Sequence, residues 1–128
     1  MMNNFKELKQ LVKNAYAPYS KFKVAAIVHT DKGSFKGVNV ENSSYGATIC
    51  AERVALTSAI ANGAKKFKAI EVLCSTKETN LAIPCSLCLQ VFAEFFQPKT
   101  PVIVYTTTGK QTIFKFEELL PHPFKFKK

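Results

Sequence analysis

Apolar residues recur at Phe5, Leu8, Leu11, Val12 and Ala15, the three-and-four spacing of an amphipathic helix. Asn4 followed by Glu7 has the form of a capping box, so the pattern predicts a first helix over 4–16. Ala17-Pro18-Tyr19-Ser20 ends it, because proline disfavours helical geometry in the residue before it. The chain then reads as a strand over 21–30, a hairpin turn at Asp31-Lys32-Gly33 and a returning strand over 34–40. A polar segment leads to a second helix over 50–62, stopped by Gly63. Val54, Ala55, Leu56, Ala59 and Ile60 leave that helix little polar face, which predicts burial between a sheet and other elements. A third strand over 67–75, a loop carrying Asn80 and Pro84, and a third helix over 85–96 closed by Pro98 follow. Strands over 101–107 and 111–116 and a helical turn over 117–120 before Pro121 complete the pattern.

Helices alternating with strands after an initial hairpin predict an α/β fold: a three-layer α/β/α sandwich with a mixed sheet of about five strands. The 128 residues are 47% hydrophobic and 21% charged, which suits one domain over 1–128 with a core that needs no disulfide or metal staple. No stretch approaches the roughly 20 consecutive apolar residues of a membrane span. The N-terminus, Met1-Met2-Asn3-Asn4-Phe5-Lys6-Glu7, lacks the apolar core and small-residue cleavage site of a signal peptide. A cytoplasmic location is therefore expected. In that reducing compartment the four cysteines are expected to be thiols, metal ligands or catalytic groups.

Charge adds one further clue. The net charge is +9, but 17 of the 18 basic residues are Lys, and Arg53 alone is Arg. The lysines are scattered, apart from Lys125, Lys127 and Lys128, and read as a solvated surface rather than a nucleic-acid footprint.

The chemistry concentrates in Thr48-Ile49-Cys50-Ala51-Glu52-Arg53 and Pro84-Cys85-Ser86-Leu87-Cys88, each at an expected helix start. Cys85 and Cys88, three apart, share a helix face, a spacing that alone suits a chelate or a redox pair. Cys50 decides between them. Three thiolates without a fourth protein ligand leave one tetrahedral position open, the pattern of a catalytic zinc site. Residues two apart on a continuous helix point to nearly opposite faces, so Cys50 and Glu52 can both approach the metal only at the helix N-terminus. Glu52 there is a candidate general base and acid. Three sulfurs also load the metal with electron density. Two helix N-termini and the planar donors of Arg53 can draw some of it off, which accounts for the single guanidinium.

Cys-Ala-Glu-Arg at 50–53 followed by Pro-Cys-x-x-Cys at 84–88 resembles the cytidine deaminases of the small homotetrameric class. The likeness extends to Ala17-Pro18-Tyr19-Ser20-Lys21-Phe22, Gly37-Val38-Asn39-Val40-Glu41-Asn42, Ser44-Tyr45, and Glu118-Leu119-Leu120-Pro121 with Phe124. It implies zinc-dependent hydrolysis of cytidine and deoxycytidine to uridine and deoxyuridine with release of ammonia, in pyrimidine salvage. By the same likeness Cys50, Cys85 and Cys88 hold zinc and Glu52, which is not a ligand, shuttles protons. Asn39 and Glu41 match the residues that meet the ribose hydroxyls and Phe22 an aromatic on the pyrimidine, while the backbone around Ala51 and Cys85 would meet the polar edge of the base. Tyr45 and Phe124 match residues contributed to a neighbouring subunit's pocket, which implies a homo-oligomer, a tetramer in that class, with shared sites. The family commonly has Arg-Gln after the second cysteine of the pair, where this chain has Leu89-Gln90.

Cys74 reads as a small buried hydrophobe, His29 and His122 as structural or surface residues, and the remaining Phe side chains as core and interface filling. Two other functions are weighed: the same chemistry on a polynucleotide or a modified cytosine nucleoside, and a noncatalytic zinc or redox module. The first ligand is Cys50, where polynucleotide deaminases carry His-x-Glu, so nucleic acid is not the expected substrate.

Overall fold

In the computed structural model, which describes residues 2–75 and 82–126, five strands form one sheet in the order β2-β1-β3-β4-β5. The elements run α1 (Phe5–Leu11), β1 (Val24–Thr30), β2 (Gly33–Val38), α2 (Ala51–Ala61), β3 (Phe67–Cys74), α3 (Ser86–Ala93), β4 (Pro101–Tyr105), β5 (Gln111–Lys115) and α4 (Phe116–Leu119). Among the strands of the described residues only β3 and β4 pair in parallel, and α3 lies in the connection between them. The others pair antiparallel, so the sheet is mixed, as expected. Asn80, Lys127 and Lys128 lie outside the described residues.

The period of two along each central strand builds the two remaining layers. Val24, Ala26 and Val28 of β1, Ile70 and Val72 of β3, and Val102 and Val104 of β4 join Ala55, Leu56 and Ala59 of α2 and Cys88 and Phe92 of α3 in one core. Ala25, Ile27, Leu73, Ile103 and Tyr105 turn to the opposite face and pack with Leu8 of α1. The layers are therefore α2 and α3, the sheet, and α1. The contact of α2 with β2 is unusually close: a Cβ at Gly37 would stand 2.4 Å from both the Ala51 carbonyl oxygen and the Ala55 amide nitrogen. Only glycine lets the first turn of α2 lie this deep on the sheet.

Several expected boundaries shift, each for a long-range reason. The first helix stops at Leu11, and a 3-10 turn spans Val12–Asn14. The next residues leave the helix because the Tyr16 N–H donates to the Asn39 carbonyl at 3.0 Å and its carbonyl accepts the Glu41 N–H at 2.8 Å. The first strand begins at Val24 rather than 21, since Lys21 turns into the left-handed region at φ 63. Thr106 bonds to Lys110 across a turn containing Gly109, which ends β4 at Tyr105. Burial of the second helix on every side is corrected too: Ala51, Ala55, Leu56 and Ala59 are buried, but Ile60 on the far side is 37% exposed.

The capping box is also corrected. The Asn4 side chain makes no capping bond, and its Nδ2 donates to Glu71 at 2.5 Å while its backbone N–H donates to the same carboxylate at 3.0 Å. Glu7 instead pairs with Lys36 at 2.8 Å. Glu71, wholly buried in β3, also accepts the Tyr105 hydroxyl at 2.5 Å and stands 2.6 Å from His29 Nε2. His29 is thus structural, and the group ties the chain's N-terminal segment to the sheet.

Burial alone would raise the Glu71 pKa, but the bonds from His29, Tyr105 and Asn4 outweigh it and hold it down to about 2. A carboxylate whose pKa falls on folding contributes stability above its unfolded value, and that stability is lost as pH falls through the folded value. The urea midpoint should therefore fall between about pH 5 and pH 2, and Glu71→Gln should reduce that fall while lowering the midpoint at pH 7. Parallel pH curves for the two proteins would exclude Glu71 as the group responsible.

Candidate active site

Cys50 caps the N-terminus of α2 with extended backbone (φ −71°, ψ 150°), and Cys85 caps α3 in the same way (φ −69°, ψ 166°). Both expected helices thus begin one residue later than the cysteine, which frees each sulfur to point past the helix end. Cys88 stands in the first turn of α3, buried. The three sulfurs lie within 4.8 Å of one another, with Cys50 to Cys85 at 3.9 Å and Cys85 to Cys88 at 3.7 Å. Tetrahedral zinc with bonds of about 2.3 Å requires sulfur separations of about 3.8 Å, so this donor set fits the ion closely. A two-thiol redox pair gives no reason for a third sulfur at the same spacing. Cys74 is buried in β3 and is not one of the three, in line with its reading as a core residue.

The electrostatics follow from the clustered thiols, burial and the lone guanidinium. Arg53, in the first turn of α2, donates from Nη2 to Cys50 Sγ at 3.5 Å, and its Nε is buried without a hydrogen-bond partner. The neighbouring Cys88 thiol and then Arg53 bring the Cys50 thiol down to about 5. Cys88 is pushed the other way, because it donates to Cys50 and is buried. Glu52 is 5% exposed, and burial, aided by the charge of Cys50, raises its carboxyl to about 7 despite the opposing pull of its own backbone N–H and Arg53. A carboxyl in that range can both take up and release a proton near neutral pH.

A cleft of about 250 Å³ opens beside these groups. The structure brings Phe22, Asn39, Glu41, Cys50, Ala51, Glu52 and Cys85 into its wall. Glu41 reaches it because Val40, just beyond β2, forms isolated bridges with Tyr16 and Ile49 and so draws three segments together. The Ser20 hydroxyl leads the groups that hold the Glu41 carboxyl below its ordinary value, with the Ser20 and Tyr19 N–H groups adding to it. Tyr45 and Phe124 stand outside the wall. Tyr45, 61% exposed, lies edge-on to Tyr19 at 5.9 Å, and Phe124, 64% exposed, packs on Phe126 while its carbonyl accepts Gln90 Nε2 at 2.8 Å. Ser20, Thr48 and Ile83 also line the cleft and were not singled out as site residues in the sequence. Ser20 and Thr48 belong to segments whose neighbours were. Loop positions carry no periodicity to mark them, so only their place within Ala17–Phe22 and Thr48–Arg53 points to Ser20 and Thr48.

The family model for the cytidine and deoxycytidylate deaminase zinc-binding region matches residues 3–105. A cytidine deaminase from Mycoplasma genitalium is 38% identical over 120 residues, 94% of this chain and 92% of that protein. One from Halalkalibacterium halodurans is 41% identical over 120 residues, 93% of this chain and 89% of its own. The crystal structure of cytidine deaminase from Burkholderia pseudomallei superposes with a TM-score of 0.85 at 41% identity, covering 93% of this chain and 94% of that one. With three sulfurs at zinc-chelating distance and a buried glutamate beside them, the chain belongs to the zinc-dependent cytidine and deoxycytidylate deaminase family.

Proposed function

We propose that the chain hydrolyses the 4-amino group of cytidine and deoxycytidine, giving uridine or deoxyuridine and ammonia, in pyrimidine salvage. The observation that carries this reading is Glu52, buried in the cleft wall two residues from Cys50, whose sulfur stands 3.9 Å from that of Cys85. Zinc held by Cys50, Cys85 and Cys88 would act as the Lewis acid that makes water a competent nucleophile near neutral pH. Glu52 takes one proton from the attacking water and passes it to the pyrimidine, then takes the second from the hydroxyl that attack leaves on the ring and passes it to the departing amine. Asn39 and Glu41 bind the ribose hydroxyls, Phe22 packs on the base, and the backbone about Ala51 and Cys85 meets its polar edge.

Arg53 and the two helix N-termini withdraw charge from the sulfurs. Arg53→Gln should keep its zinc and turn over about ten- to hundredfold more slowly, the scale of changes next to metal ligands. Undiminished kcat at full metal content would take Arg53 out of the mechanism.

The cleft is lined by no Lys or Arg among the described residues. A polyanionic substrate therefore finds no partner for its phosphates there, which favours a free nucleoside over a polynucleotide despite the net charge of +9. Tyr45, Leu87 and Phe124, each more than 60% exposed, are large apolar side chains of the kind an oligomer interface covers. A homotetramer in which Tyr45 and Phe124 complete a neighbour's pocket follows from the family likeness. A single domain over 1–128 in the cytoplasm belongs to the same reading, and no helix among the described residues is long and apolar enough to cross a membrane.

Metal-analysed protein incubated with cytidine, deoxycytidine, cytosine and single-stranded oligonucleotide should release ammonia and uracil products from the two nucleosides. Conversion of the oligonucleotide alone would overturn the nucleoside assignment, and reversible oxidation of Cys85 and Cys88 without bound metal would overturn the zinc chemistry.

A further inference from the structure

Both carboxylate oxygens of Glu41 are engaged by a loop that precedes β1. Oε1 accepts the backbone N–H of Tyr19 at 3.0 Å and of Ser20 at 3.1 Å, and Oε2 accepts the Ser20 hydroxyl. The same hydroxyl oxygen accepts the Phe22 N–H at 3.0 Å. On the other side of that residue, the Phe22 carbonyl accepts Asn39 Nδ2 at 2.7 Å, while Asn39 Oδ1 accepts the Val24 N–H at 2.9 Å. The two peptide groups flanking Phe22 are therefore clamped, one by Ser20 and one by Asn39. Between Ser20 and Phe22 stands Lys21 in the left-handed region at φ 63, its N–H donating to the Ala17 carbonyl at 3.0 Å. A lysine keeps such a conformation only where its surroundings over-determine it.

We infer that Ser20 is a positioning residue of this site, whose hydroxyl joins Glu41 to Phe22 so that the sugar-reading carboxylate and the base-facing ring are held as one unit. The inference deepens the proposed function and rests on its assignment of Glu41 and Phe22 as nucleoside contacts. Physically, the hydroxyl has one proton and two lone pairs. The proton fixes the Glu41 Oε2 rotamer, and a lone pair holds the peptide that aims Phe22. With Oε1 already receiving two N–H groups and Oε2 the hydroxyl, the one lone pair left, on Oε2, points in a set direction before substrate arrives, which lowers the ordering cost of binding. Remove the hydroxyl, and Oε2 loses its partner while the Phe22 N–H loses its acceptor. Ser20 itself is exposed on a loop, so its replacement leaves the core intact.

The test is steady-state kinetics of zinc-loaded wild type, Ser20→Ala and Ser20→Thr on cytidine and 3′-deoxycytidine. Ser20→Ala should raise KM for cytidine about five- to thirtyfold, the scale of a lost bond to a charged group, with kcat within about threefold. Ser20→Thr, which keeps the hydroxyl, should restore KM to within about threefold of wild type. The wild-type preference for cytidine over 3′-deoxycytidine in kcat/KM should shrink about fivefold or more in Ser20→Ala, because Glu41 is no longer poised for the hydroxyl. A simple loss of stability would not move that preference. An unchanged KM, a fall in kcat alone, an unaltered preference, or a Thr variant as poor as the Ala variant each overturns the inference while the wild type still turns over cytidine. A wild type that leaves cytidine untouched removes the proposed function, and the inference with it.

Discussion

Glu52→Gln should reduce kcat on cytidine by about 10² to 10⁴ while zinc content and nucleoside binding stay near normal. The substitution keeps the size and shape of the side chain and removes only its ability to exchange a proton. Hydrolysis needs that exchange twice, once from the attacking water to the ring and once to the departing amine, and among the described residues Glu52 is the carboxylate in the cleft wall next to Cys50. Its burial matters to both transfers. A carboxyl held near 7 accepts a proton more readily than one at 4.5 and still gives it up at neutral pH. Glutamine in the same buried place carries no charge to desolvate, so the variant should fold at least as well as wild type. Single-turnover kinetics beside zinc analysis and uridine titration distinguish the cases. Near-normal kcat would discard the shuttle assignment, and loss of zinc would mean that Glu52 supports the metal instead.

Cys50→Ser should weaken zinc binding by more than about hundredfold, beyond the scale seen when groups adjacent to ligands are removed, and abolish turnover at stoichiometric metal. Serine is the informative replacement because Cys50 occupies the N-cap of α2, a position serine serves well. Helix and fold should persist while the metal set falls from three sulfurs to two. The remaining pair, Cys85 and Cys88 at 3.7 Å, can still chelate, so excess zinc should recover metal occupancy before it recovers activity. Cobalt in place of zinc reports the same loss through its absorption. A Cys50→Ser protein with one tightly held zinc and ordinary kcat would remove Cys50 from the ligand set.

The two variants probe the parts of the site most legible in the sequence. Cys50, Glu52, Cys85 and Cys88 sit at helix starts that local pattern alone indicates, because Pro84 and the polar run before Thr48 mark where helices can begin. Two caps at two helix ends then need only one tertiary event, the packing of α2 and α3 on the same face of the sheet, to bring three sulfurs together. By contrast, Asn4 looked like a capping residue because Glu7 follows at the right spacing. Its preferred partner is Glu71, 67 positions away, and a buried carboxylate outcompetes a solvated helix end for its amide. The tie between Ser20 and Glu41 is not legible in the sequence for a related reason: it crosses 21 positions between two loops.

Periodicity along the chain by itself determined the alternation of helices and strands and the mixed three-layer class, since these depend on contacts within a turn or on the two-residue repeat of a strand, while motif spacing marked Cys50, Glu52, Cys85 and Cys88 as candidates for metal and proton chemistry. The strand order β2-β1-β3-β4-β5 decided the rest. It brought β2 under the first turn of α2, where Gly37 admits the helix backbone, and led the segment after β2 back to Tyr16 and Ser20 to form the cleft wall. It also buried Glu71 among partners from three other segments. Such contacts are set by which edges of a sheet meet, and no local spacing in the chain encodes that.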